Sequence, residues 1–409
     1  MSFRRLLGAA VVFLAFQCAA FSQDNSPAQP PMQAMAPMPV VQPLETIAVP
    51  YDAIEPVTGD VKLVQTAEER AQLLEMFMKG RRLSNVRQFP YLLKTTFTAY
   101  GSQSSSGSWS IEDTSPGAGI YRWAAQGPSF SGIFLQRDGL LSSNQADGNV
   151  PLRLAQVRDA MWSEYFPGFG PHAALFTSTG TMSGAEVRCV LIMRGVIRND
   201  EMYSLKRSFN EEEYCFDPQS GLLASYSPIP GYFVRYDYSA ALHFHDRVII
   251  PNTFTIYEAG KPIVEARTES VGDPASTNDA IFEPSGLRPL GTGQVVDPMV
   301  SIRSIVPNFS TTDAAAQDQV VVVSAMISAR GDIQDREVIL TTDESLDEVA
   351  LDHITKSGIA SFKASIQQQA GTTPRSQAVI FAVEVVPERP RPVMQRCPPD
   401  GSGARLYCR

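Results

Sequence analysis

The rhythm of apolar and polar positions changes several times along this chain. In TAEERAQLLEMFMKGRR, residues 66–82, Leu73, Leu74, Phe77 and Met78 recur at helical spacing, and Thr66 with Glu69 has the spacing of a capping box. Lys79, Arg81 and Arg82 fall at the end where the helix dipole favours cations, and Gly80 can close the helix. Fully burying one large apolar side chain is worth roughly 1.5–3 kcal/mol, so this stripe has to dock on a sheet or groove. From Pro90 to Val271 the text shortens into apolar or alternating runs such as YLLKTTFTAYG, GIYRWAAQG, EVRCVLIMRG and GYFVRYDY, separated by Gly, Asp, Asn and Ser. These predict consecutive antiparallel strands. Tyr232, Val234, Tyr236 and Tyr238 share one strand face, with Phe233, Arg235 and Asp237 on the other. In RCVLIMR both faces are apolar, and both need a cover. One helix interrupts the strands at PLRLAQVRDAMWSEYF, residues 151–166, with Leu154, Val157, Ala160 and Met161 in its stripe. Two helices leave apolar strand surface to spare.

A loop spans Pro284 to Pro298. Beyond it, Val321, Val323, Ala325 and Ile327 alternate with Val320, Val322 and Ser324 in a strand. SARGD turns, and Ile333 to Leu340 returns. Ser345 and Glu348 then have capping-box spacing before a helix with Leu346, Val349, Ala350 and Ile354 on one face, and Ala378 to Val385 reads as the last strand. This region holds eight carboxylates in residues 330–354, namely Asp332, Asp335, Glu337, Asp343, Glu344, Asp347, Glu348 and Asp352. Turn, strand exterior, helix start and exposed helix face account for them. The D-x-[DN]-x-[DN]-G spacing of a calcium loop is missing, and the RGD triplet is read as a turn.

At the N-terminus, Arg4 and Arg5 precede an apolar run from Leu6 to Phe16 and small residues at Ala20 and Ser22. This predicts a signal peptide over residues 1–22, cut after Ser22, and so a periplasmic or secreted protein. An uncleaved segment would instead anchor the chain in the inner membrane. Residues 23–59, rich in Pro, Ala and Met at their start, read as an extended linker. The 409 residues allow two or three domains. A net charge of −9, moving to −11 without the two leader arginines, gives no footprint for nucleic acid. Beyond Cys18 the cysteines are Cys189, Cys215, Cys397 and Cys408. An even set in an exported chain predicts two disulfides, and proximity in sequence favours Cys189 with Cys215 and Cys397 with Cys408, against four free thiols or a zinc site.

The common nucleophile, metalloprotease, phosphate-loop and dinucleotide motifs do not occur, so no enzyme and no cofactor is expected. His243 and His245 stand two apart on a strand, with Asp246 or Glu258 as further hypothetical ligands, but strand-facing histidines are the commoner arrangement and no metal site is assigned. Trp123, Phe134, Trp162, Tyr232 and Tyr236 either line a lipid cavity or fill the core. The cavity alternative rests on the excess of apolar strand face.

A large antiparallel sheet wrapped around helices, with strand pairs such as CFDPQSGLLASY and IPNTFTIYEAGKPIVEARTESV, resembles the LolA/LolB-like periplasmic lipoprotein carrier superfamily over residues 60–285. The resemblance implies an antiparallel half-barrel that holds a lipid or lipoprotein acyl chain without cofactor or covalent chemistry. VSAMISARGDIQDREVI, LDEVALDHI, SFKAS and AVIFAVEVV resemble the C-terminal domain of TonB-family proteins, although Ala364 stands where that family usually carries proline. This second resemblance implies a small ββαβ unit over residues 300–388 that meets an envelope protein partner, such as an outer-membrane transporter, by strand addition. The expected chain is thus α+β: half-barrel, linker 286–299, ββαβ unit, and a tail 389–409 closed by its own disulfide.

Overall fold

A computed structural model describes residues 57–58, 62–80, 84–101, 105–146, 148–162, 174–193, 211–229, 231–246, 248–274, 279–292, 297, 300–305, 319–341, 343–355 and 376–385. The leader, most of the proline-rich linker, the SFKAS segment and the Cys397–Cys408 pair lie outside these residues. The first elements are β1 (Val57–Thr58), β2 (Lys62–Leu63), α1 (Ala67–Gly80), β3 (Tyr91–Ala99), β4 (Gly107–Gly117), β5 (Ile120–Gly127), β6 (Phe130–Arg137), β7 (Leu140–Ser143) and α2 (Leu152–Trp162). Next come β8 (Ala174–Met182), β9 (Ala185–Met193), β10 (Glu211–Phe216), β11 (Leu223–Ile229), β12 (Tyr232–Asp237), β13 (Leu242–Phe244), β14 (Val248–Ile250), β15 (Thr253–Glu258) and β16 (Lys261–Gly272). The last are β17 (Arg288–Thr292), β18 (Ser301–Ile305), β19 (Gln319–Ile327), β20 (Ile333–Thr341), α3 (Asp347–His353) and β21 (Gln377–Val385).

Two antiparallel runs, β3 to β7 and β8 to β12 continued by β15 and β16, join where β16 pairs with β3, Val264 opposite Ala99, while β13 and β14 pair with each other in a separate hairpin. The result is one open sheet of fifteen strands among the described residues, ending at β17 on one side and at β8 with its partners β1 and β2 on the other. Two of those strands fall in stretches expected as linker. Val57–Thr58 pairs with β8, and Arg288–Thr292, assigned to the 286–299 linker, pairs with β7 and buries Leu290. RPLGT reads as loop because it holds Pro, Gly and one large apolar residue; at the end of a sheet Pro289 needs no partner for its missing N–H.

Periodicity shows in β3, where Tyr91, Leu93, Thr95, Phe97 and Ala99 are buried and Lys94 is exposed. In β12, Tyr232, Val234 and Tyr236 join the main core while Phe233 packs on the opposite face with Met182, Val187, Cys189 and Cys215. Helix α1 has the expected box: Glu69 N–H donates to Thr66 Oγ1 and Thr66 N–H to Glu69 Oε2, each at 3.1 Å. Only half its stripe is used. Leu73 and Phe77 are buried, Phe77 edge-on to Tyr214 and Phe216, whereas Leu74 and Met78 are exposed.

The spare strand surface is covered by α2 and by a second sheet, ordered β18-β21-β19-β20. Val320, Val322, Met326, Ala378, Ile380 and Ala382 of that sheet belong to the same core as the large sheet and α2. Its other face, Val321, Val323, Ala325, Ile327, Val379, Phe381 and Val383, packs on Ala350 and Ile354 of the α3 end. The layers therefore run large sheet, α2, small sheet, α3. Val349, expected in the α3 stripe, is exposed, and Leu351 packs instead. The helix start also differs: Asp343, not a Ser345–Glu348 box, accepts from Ser345 N–H and Oγ. Since β18 runs parallel to β21, the strand order β19-β20-α3-β21 carries one added strand on its edge.

Candidate functional site

Helix α2 reads LRLAQVRDAMW, and all eleven residues are buried because sheets lie on both sides of it. Its polar side chains have no water to reach, so each has to find a partner inside. At its N-terminal end Arg153 donates to Glu258 Oε2 at 2.7 Å and to Gln156 Oε1 at 2.9 Å, while Gln156 Nε2 donates to Glu258 Oε1 at 2.7 Å. Arg153 also reaches Glu337 of β20 at 3.4 Å, so one acid of the 330–354 stretch is not simply surface.

The C-terminal half of α2 holds a denser cluster. Arg158 Nη1 lies 2.5 Å from both carboxylate oxygens of Asp113 on β4, and Nη2 donates to Asp297. Arg87, from the 3-10 turn Ser84–Gln88, closes on the other oxygen of Asp297 at 2.5 Å. The next helix residue, Asp159, accepts from the Val300 N–H at 3.1 Å. Consecutive residues of α2 thus hold two points of the segment that enters β18.

Three of the five aromatic candidates gather round these arginines. Trp123 stacks on Phe134 at 4.2 Å, the Arg158 guanidinium lies 4.6 Å from the Trp123 ring, and Arg87 lies 3.9 Å from the Trp162 ring. Tyr236 donates to the Ala160 carbonyl at 2.9 Å, and Tyr232 is buried in the same core on β12. All five are covered. Sequence reasoning missed Arg87, Asp113, Arg158 and Asp297. The available signal was the four polar residues Arg153, Gln156, Arg158 and Asp159 in a helix that sheet surface had to cover.

Burial raises the pKa of Asp159 to about 7, helped by Asp297 and Glu212 and opposed by the Val300 N–H. Burial also pushes Asp297 up, but Arg87 and Arg158 outweigh it and hold this carboxyl below its ordinary value. Burial pushes the Arg87 pKa down, but Asp297, Tyr91 and Asp113 together outweigh it, and the pKa is raised.

On the other face of the large sheet, Cys189 and Cys215 sit directly opposite each other on β9 and β10 and form a disulfide. Phe233, in the same cluster, also lines a groove of about 610 Å³ where β20 passes the β11–β12 and β15–β16 turns. Tyr257, Ala259, Val338, Ile339 and Leu340 complete its apolar wall, with Glu344 and Asp347 among its polar lining. Gly231 is required there: a Cβ on it would lie 2.9 Å from Leu340 Cβ, and its φ of +88° suits glycine. None of the five aromatic candidates lines this groove. The histidine pair does not make a site either: β13 ends at Phe244, His245 turns to φ 49° and meets Asp273 at 3.2 Å, and Glu258 is held by Arg153.

No family model matches the sequence. No curated protein matches it. Among solved structures the chain is similar to a LolA superfamily protein from Nitrosomonas europaea, at 10% identity over 51% of this chain and 96% of that one, with a TM-score of 0.32. A putative outer membrane lipoprotein-sorting protein domain from Vibrio parahaemolyticus shares 7% identity over 51% and 98%, TM-score 0.29. A DUF1329 family protein from Desulfovibrio piger shares 9% over 53% and 98%, TM-score 0.32.

Proposed function

We propose that this chain is a non-enzymatic carrier or binding protein of the cell envelope, taking an apolar ligand such as the acyl chain of a lipid or lipoprotein. The ligand lies in the groove between β20 and the β11–β12 and β15–β16 turns. That groove is the observation that carries the reading: about 610 Å³, inside the range of roughly 300–1,000 Å³ usual for small-molecule sites, with Phe233, Tyr257, Ile339 and Leu340 for walls. The aromatic interior is the less favourable place, because a ligand there has to displace α2. Doing so strands Asp113 and Glu258 without their arginines, and removing one partner of a buried pair costs about 3–5 kcal/mol. No such cost attaches to the groove.

The experiment is titration of the purified chain with a fluorescent fatty acid, alongside mass spectrometry of solvent extracts from the natively purified protein. Binding that is lost in Leu340→Glu and Ala259→Trp, both folded, is the expected result. Absence of fatty-acid binding together with ligand-free extracts defeats the carrier reading. Binding unchanged in both variants but lost in Trp123→Ala moves the ligand to the interior.

A second reading, interaction with an envelope protein partner through residues 300–388, is favoured by one feature. Among the described residues β20 is the edge of its sheet, beside the same groove, and an open edge can take a partner strand. Capture of a partner by the full chain that survives Arg336→Pro, a block on the strand's edge, counts against strand addition.

A further inference from the structure

We propose that Arg87 and Arg158 form a binding site for a phosphate group, whose place the chain's own Asp297 takes in this structure. The inference goes beyond the groove and does not depend on it. Two guanidiniums from separate elements converge on one carboxylate, each on a different oxygen, in the arrangement by which paired arginines hold a free anion. The site is richer in donors than Asp113 and Asp297 can use. Among the described residues, Arg87 Nε, Arg158 Nε and Trp162 Nε1 are buried without an acceptor, although Arg158 is fully buried and Trp162 nearly so. A tetrahedral or larger anion offers more acceptor positions than one carboxylate.

The aromatic surroundings suit a ligand whose anionic group is attached to an apolar body. Arg87 lies over Trp162 and 5.4 Å from the Tyr121 ring, and Tyr91 packs against Trp162. Unlike Asp113, which β4 fixes at the bottom of the cluster with a side chain 2% exposed, Asp297 lies outside any strand or helix at the site's edge. Its side chain is 12% exposed and that of Arg87 22%, so the outer side of the site is the one that reaches solvent. An anion entering from that side displaces Asp297 and leaves the Arg158–Asp113 pair intact. Since Val300 is tied to Asp159 three residues on, exchange of the Val300 N–H reports whether the segment has let go.

The test uses the full chain without its leader and two probes, inorganic phosphate and vesicles of phosphatidylglycerol, followed by calorimetry and vesicle flotation. Asp297→Ala is expected to bind phosphate at least about tenfold more tightly than the wild type, and Arg87→Gln added to it returns the affinity to the wild-type level. Vesicle binding by Asp297→Ala without phosphate binding, reversed by Arg87→Gln, assigns the site to a lipid headgroup. A folded Asp297→Ala that gains neither probe overturns the proposal and leaves Asp297 a structural clasp. If that variant does not fold, hydrogen exchange of the wild type decides: peptides spanning 297–305 exchange faster with phosphate or vesicles if the anion displaces Asp297, and unchanged exchange with both overturns it.

Discussion

Arg153 donates to Glu258 at 2.7 Å with both side chains all but removed from solvent, and this pair joins the middle helix to the large sheet. Arg153→Ala leaves the Glu258 carboxylate buried with only Gln156 beside it. The expected loss is about 3–5 kcal/mol in urea unfolding. Replacing both partners, Arg153→Met with Glu258→Leu, is expected to recover most of that loss, because two apolar side chains of similar volume need no partner. A loss below about 1 kcal/mol in the single variant, the scale of exposed pairs, means that water reaches the pair.

Asp159 gives the protein an unusual pH dependence. Its pKa is raised to about 7 in the folded chain against about 3.9 unfolded. The folded state therefore binds more protons between these values, and this group's contribution to stability falls as pH rises from about 4 to about 7. The effect reaches on the order of 4 kcal/mol. Asp297, held below its ordinary value, acts oppositely, but below about pH 4 and so outside this window. Thermal unfolding is expected at higher temperature at pH 5 than at pH 8, and Asp159→Asn, which keeps an acceptor for Val300, flattens the slope. An unflattened slope assigns the dependence elsewhere.

The strands were legible wherever one face meets the core and the other meets water, as in Tyr91–Ala99 and Tyr232–Asp237. Partner choice was less so. Leu74, Met78 and Val349 fit their helical stripes as well as Leu73, Phe77 and Ala350 do, yet they are exposed, because a stripe gives a direction and not the width of the neighbour that covers it. In α2 the stripe Leu154, Val157, Ala160 and Met161 is buried, but so are Arg153, Gln156, Arg158 and Asp159, because a second sheet lies over the helix, and nothing local in a sequence announces a cover contributed by strands far along the chain. Asp113 and Asp297 were invisible for the same reason: a single acid in a strand or a loop acquires meaning only from the arginine the fold brings to it.

The shared core bears on whether the large sheet folds without the C-terminal unit. Val320, Val322, Met326, Ile380 and their neighbours pack in the same cluster as Trp123 and Val157. Ending the chain before residue 300 is expected to uncover α2, leave Asp159 without the Val300 N–H, and expose an apolar surface of the kind that aggregates. Gel filtration and binding of a hydrophobic dye measure this. A monodisperse truncated chain with little dye binding establishes that the two sheets are separable, contrary to the expectation.

The Cys189–Cys215 bridge offers a stability test independent of the buried ions. Its partners are 26 residues apart in sequence and directly opposite across β9 and β10. Cross-linking acts chiefly by restricting the unfolded chain, and a loop of this length is worth about 3–4 kcal/mol by that account. Changing both cysteines to alanine removes the restriction while Met182, Val187 and Phe233 still cover the position, so the folded state loses little packing. The double variant and the reduced wild type are expected to be destabilised by similar amounts. A much larger loss on reduction than on double substitution shows that two thiols beside buried Glu213 are themselves unfavourable in the fold, and Glu213→Gln then narrows the difference.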